Sequence, residues 1–139
     1  MGSAAGSPTP ANIRSDGEAI IEFLREELKL QSKIGVYGRS LGGIVATHLA
    51  RVRPDVDFVM ADRTLANLDI ISERKAHGRL MSVLFKIIMF AYCSDSWRVR
   101  SDMNFYESGC DLKIMTADPN DDVVDTHSSL MTGVALCAV

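Results

Sequence analysis

Residues Lys33 to Arg51 read KIGVYGRSLGGIVATHLAR. Ile34, Val36 and Tyr37 are β-prone and largely apolar, the composition of a strand covered on both faces in a parallel sheet. The next five residues, Gly38-Arg39-Ser40-Leu41-Gly42, fit the pattern G-x-S-x-G. Leu41, Val45, Ala46 and Leu49 then recur at helical spacing and Pro54 follows, which predicts a helix that begins at the turn and ends near Arg53. A serine therefore stands at the apex between a strand and a helix, the context in which this pentapeptide holds a nucleophile.

Such a turn makes specific demands. The strand and helix pass close to the serine, so side chains at Gly38 and Gly42 are expected to collide with them, and Ser40 is expected in strained backbone geometry with an exposed hydroxyl. The helix N-terminus directs partial positive charge at the site, and the Leu41 amide is placed to donate to an oxyanion. A second reading of the same glycines is a phosphate-binding turn. The Lys-Ser/Thr ending of a P-loop is absent, as is any G-x-G-x-x-G, and no cofactor motif replaces them.

The remaining composition narrows the class. With 139 residues, 47% of them hydrophobic, the chain is long enough for one core and too apolar for disorder. A net charge of -3 without a basic cluster argues against a nucleic-acid partner. Cys93, Cys110 and Cys137 are odd in number, widely spaced and set among apolar residues, so they read as reduced core thiols, with no metal-ligand spacing. The opening MGSAAGSPTP lacks a basic n-region and an apolar h-region, and Gly6 stands where myristoylation needs Ser or Thr. A cytoplasmic location is the expectation.

Outward from the elbow, residues 1–10 are small and loop-like, and 11–139 are read as a single domain. Thr9-Pro10 can cap and open a helix. Ile13, Ile20, Ile21, Leu24 and Leu28 mark one face of a predicted amphipathic helix from Ala11 to Leu30, lying on a sheet. Val56 to Ala61 forms a second buried-type strand ending at Asp62-Arg63-Thr64, where functional loops of parallel sheets lie. Leu65 to Gly78 is irregular. Leu80 to Cys93 is strongly apolar but too short to span a bilayer and is interrupted by Lys86, so it reads as a buried or capping helix, with membrane contact the lesser reading. Trp97 to Tyr106 carries no decisive pattern. Leu112 to Ala117 is a third strand, an acidic turn Asp118-Pro119-Asn120-Asp121-Asp122 follows, and Thr126 to Leu136 is a final helix. The alternation predicts a three-layer α/β/α sandwich with a short parallel sheet.

An elbow followed two strands later by an acidic turn resembles the α/β-hydrolase family, in particular its serine-aminopeptidase-like and acyl-hydrolase branch. GSPTPANIRSDGEAIIEFL resembles the segment after that family's fourth strand, GRSLGGIVATHLA its elbow and following helix, and DPNDDVV its acid-bearing turn. The resemblance implies a serine hydrolase acting on an ester, thioester or amide, with Ser40 as nucleophile and the triad acid at Asp121, aligned through Val124. Asp118, nearer the strand end, is the alternative acid. Asp122 and Asp125 read as helix-start charges. The likeness covers the middle to late part of the family's domain, so the second oxyanion donor and the catalytic histidine are expected outside this chain. His48 lies down the elbow helix, His77 in the irregular stretch and His127 beside the acid but directed away from Ser40. A small or acylated molecule is the expected substrate, and Leu80 to Cys93 is lid or core. The alternative function is a truncated, non-catalytic fragment that binds a partner, its open sheet edges favouring self-association.

Overall fold

A computed structural model of the chain describes residues 9–67, 99–121, 124 and 126–138. The apolar segment Leu80 to Cys93, His77, Cys93, Asp122 and Asp125 lie outside these. In chain order the elements are α1 (Pro10–Glu26), β1 (Ile34–Arg39), α2 (Leu41–Val52), β2 (Val56–Asp62), α3 (Ser101–Glu107), β3 (Leu112–Thr116) and α4 (Leu130–Cys137). The strands form one parallel sheet in the order β1-β2-β3. This is the α/β architecture expected from the alternation of strands and helices.

The register sorts the strand residues onto two faces. Val36 pairs laterally with Val59, and Gly38 with Ala61 and then Met115. These point toward α2, where Val59 and Ala61 are fully buried in one core with Ile21, Ala46, Leu49, Ala50, Phe105 and Leu130. Each large aliphatic side chain sequestered there contributes about 1.5–3 kcal/mol. On the opposite face, the rows Gly35-Phe58-Leu112 and Tyr37-Met60-Ile114 leave Tyr37, Leu112 and Ile114 exposed. The described core therefore lies on one side of the sheet.

The elements depart from the sequence reading in four places. Helix α1 stops at Glu26, four residues short of the expected Leu30, because the chain turns back through Lys29 at φ 53°. Its apolar face is also rotated: Ile21 is buried while Ile20 and Leu28 face solvent. It packs on α2 rather than directly on the sheet, and Gly17 makes that approach close, since a Cβ there would lie 2.7 Å from Val45 Cγ1. Leu41, expected on the inner face of the elbow helix, is exposed, and Ile44, Ala46, Leu49 and Ala50 do the packing. A helix, α3, occupies the stretch without a decisive pattern, and α4 begins at Leu130 rather than Thr126, where the Ser129 hydroxyl caps it by accepting from the Thr132 N–H.

Candidate active site

Ser40 follows the last residue of β1 and precedes the first of α2. Its backbone has φ 53° and ψ -118°, left-handed territory that a side chain adopts only when its surroundings impose it. The imposing bonds are visible. The Ser40 N–H donates to the Asp62 carbonyl at 2.9 Å, which fastens the turn to β2, and the Ser40 carbonyl accepts from the Gly43 N–H at 3.1 Å. The hydroxyl makes no capping bond to its own helix. Leu41 opens the helix, so its amide is among the N-terminal donors without an intrahelical acceptor.

The two elbow glycines are not equivalent. A Cβ on Gly38 would overlap the Gly42 carbonyl oxygen and lie 2.7 Å from the Gly43 Cα. At Gly42 a Cβ would meet nothing within 4 Å, contrary to the expected collision. The crowded helix glycine is Gly43, where a Cβ would run into the buried Thr64 side chain. The strand crosses over the first helical turn one residue later than the motif alone indicates.

Ser40 lines an open cleft of about 420 Å³ together with Arg39, Arg63, Asp118, Asn120 and Asp121. The turn after β3 therefore comes to the same edge of the sheet as the serine, and both candidate acids with it. The Asp121 N–H donates to the Asp118 carbonyl at 3.1 Å, and Asp121 Oδ1 accepts from the Val124 N–H at 3.0 Å. Asp118 Oδ1 accepts from the Asn120 N–H at 3.0 Å, and its Oδ2 lies 3.7 Å from Arg63 Nη1. Asp118 is thus drawn toward an arginine, while Asp121 is fixed within the turn.

Behind the cleft stands Asp62, the last residue of β2, which faces Arg39 on one neighbouring strand and Thr116 on the other. Its carboxylate accepts from the Thr116 hydroxyl at 2.6 Å and the Tyr37 hydroxyl at 3.1 Å. The Thr116 bond foremost, then Tyr37 and the charges of Arg63 and Arg39, hold this carboxyl below its ordinary range against the opposing effect of burial. Sequence reading placed Asp62 and Arg63 at a functional edge but gave them no role, and it took Arg39 only as the variable residue of the pentapeptide. The usable signal was lateral: strand ends in register place Arg39, Asp62 and Thr116 in one row.

The histidines go elsewhere. His48 is half-buried on α2 with Nε2 2.6 Å from Glu18 Oε1, a link to α1 away from the cleft. His127 is exposed in the turn before α4, and not on the helix where it was expected. Neither lines the cleft. Cys110 is buried, its thiol donating to the Val56 carbonyl at 3.2 Å and pushed up in pKa by desolvation, which suits a core thiol. Among the described residues no group of His, Cys, Asp or Glu is arranged to hold a metal ion, and no helix is long and apolar enough to cross a membrane.

The chain matches no family model. It is 27% identical over 105 residues to Protein bem46 of Schizosaccharomyces pombe, an α/β-hydrolase-family protein, a match that takes in 73% of this chain and 33% of the relative. The chain thus spans about a third of the length of the relative to which it is similar.

Proposed function

We propose that this chain carries the nucleophile and the acid of a serine hydrolase of the α/β-hydrolase type, acting on an ester, thioester or amide. The observation that carries the reading is Ser40 at φ 53° and ψ -118°, strained at a strand-to-helix junction and opening into a cleft. Strain of this kind costs on the order of 1–3 kcal/mol and persists where it positions a reacting group. In the proposed reaction the Ser40 hydroxyl attacks the carbonyl carbon as a histidine removes its proton. The Leu41 N–H donates to the developing oxyanion, and Asp121 orients the histidine. Asp121 is preferred over Asp118 because Arg63 already draws on the latter.

Among the described residues neither histidine is placed as the base, so that role is assigned outside them. Proton transfer needs a base within roughly 2.6–3.2 Å of the hydroxyl, and His48 is committed to Glu18 while His127 does not line the cleft. The similarity to bem46 supports the family, and the cleft geometry supports the two roles. The test compares a form extended at both ends with the 139-residue form and with Ser40→Ala in each, using a short-chain acyl ester. Turnover by the extended form that is lost in its Ser40→Ala variant supports the reading. Extended protein that is inactive leaves the non-catalytic binding fragment as the function, and activity that persists without Ser40 overturns its assignment as nucleophile.

A further inference from the structure

Two guanidinium groups line the cleft beside Ser40, and among the described residues neither donates a hydrogen bond to the protein at close range. Arg39 Nε lies 3.7 Å from Asp62 Oδ2 with its side chain 59% exposed. Arg63 Nε lies 3.5 Å from Asp62 Oδ1, and Nη1 lies 3.7 Å from Asp118 Oδ2. Charge-assisted hydrogen bonds between such groups close to about 2.7–2.9 Å, so these are attractions and not bonds. The same two Asp62 oxygens accept from the Thr116 and Tyr37 hydroxyls at 2.6 and 3.1 Å. Asp62 keeps the arginines near the cleft without using their donors. Each guanidinium offers about five N–H groups in a planar fork matched to an oxyanion.

We propose that Arg39 and Arg63 form an anion subsite that takes a carboxylate or phosphate group of the substrate, so that the acyl compound handled at Ser40 is an acidic one. The link to an acyl compound rests on the hydrolase reading; the binding of an anion does not. Asp62, Asp118 and Asp121 outnumber the two arginines around the cleft, so long-range attraction does not draw the anion in. Recognition is by short bidentate contact. Each carboxylate of the turn accepts from a backbone N–H of its own loop, and an incoming anion has to displace Asp118 Oδ2 from its place 3.7 Å from Arg63 Nη1.

The test is an amide-resolved NMR titration of the 139-residue chain with inorganic phosphate, with succinate, and with neutral succinamide. Saturable shifts at Ser40, Arg63 and the turn residues are expected with an anion and not with succinamide, and the tighter of the two anions identifies the source. Arg39→Gln and Arg63→Gln should each weaken that anion about tenfold or more, while Arg39→Lys and Arg63→Lys, which keep the charge but lose the fork, should weaken it less. Absence of saturable shifts, an equal response to succinamide, or unaltered affinity in both glutamine variants would overturn the proposal. If Ser40 proves unreactive to acyl compounds while the anion shifts persist, the subsite stands and the hydrolase reading falls.

Discussion

A methyl group at residue 38 is the smallest change that tests the turn. In Gly38→Ala the new Cβ would lie 2.5 Å from the Gly42 carbonyl carbon and 2.7 Å from the Gly43 Cα, backbone atoms that cannot rotate away. Overpacking of this kind costs about 1–3 kcal/mol, and urea denaturation should place the variant at the upper end. Gly42→Ala has open space around it and sits in a helix, where alanine is favoured by up to about 1 kcal/mol, so it should be neutral or stabilising. Gly38, Ser40 and the strain at Ser40 were legible in the pentapeptide, because strand, turn and helix each had a local signature. The division of labour between Gly42 and Gly43 was not, since it depends on which residue the strand crosses. Asp62 offers a pH test at the same scale. Its folded-state pKa is depressed, so the stability it contributes is fully present above the ordinary carboxylate pKa and is lost as pH falls through the folded value. Asp62→Asn should therefore lower stability at neutral pH and flatten its acid limb, read from urea midpoints across that range.

One arginine and one lysine side chain decide how elements meet. Arg25, in the last turn of α1, donates from Nε to Asp55 Oδ2 at 3.0 Å and from Nη1 to the Leu30 and Ser32 carbonyls at 2.6 and 2.8 Å. It ties the end of α1 to the loop before β1 and to the start of β2. Arg25→Gln should cost about 2 kcal/mol in urea denaturation, since hydrogen bonds to charged partners are each worth about 1.5–3 kcal/mol and glutamine can keep one of them. Lys113 closes the end of α3, its Nζ donating to the carbonyls of Phe105, Tyr106 and Ser108 at 3.2, 3.1 and 2.7 Å. That helix escaped sequence reading because its buried residues include Ser101, Asp102 and Asn104, polar side chains that break any apolar period. Asn104 accepts from Arg51 on α2, and Asp102 from Arg100. The same cause shortened α4: the Ser129 cap outranks the apolar pattern in fixing its start.

At the scale of the molecule, the three strands among the described residues leave β1 and β3 each with one edge unpaired by a described strand, beside a face on which Tyr37, Leu112 and Ile114 are exposed. Open edges next to apolar surface pair with other chains. We expect concentration-dependent self-association by sedimentation velocity, reduced by Ile114→Lys; a monomer at every concentration would contradict this. The parallel sheet and its three strands were readable from apolar runs alternating with helices, and the acidic turn was readable at the correct end of β3. A base for the proposed triad was not readable, because such a partner is set by long-range packing and leaves no local signature near Ser40. The central claim is that Ser40 is a nucleophile, and it is tested most directly by mass-spectrometric mapping of fluorophosphonate labelling on the form extended at both ends. A single adduct on Ser40 is expected, absent from the Ser40→Ala variant and weak in the 139-residue form. An extended form that folds and leaves Ser40 unlabelled would contradict it.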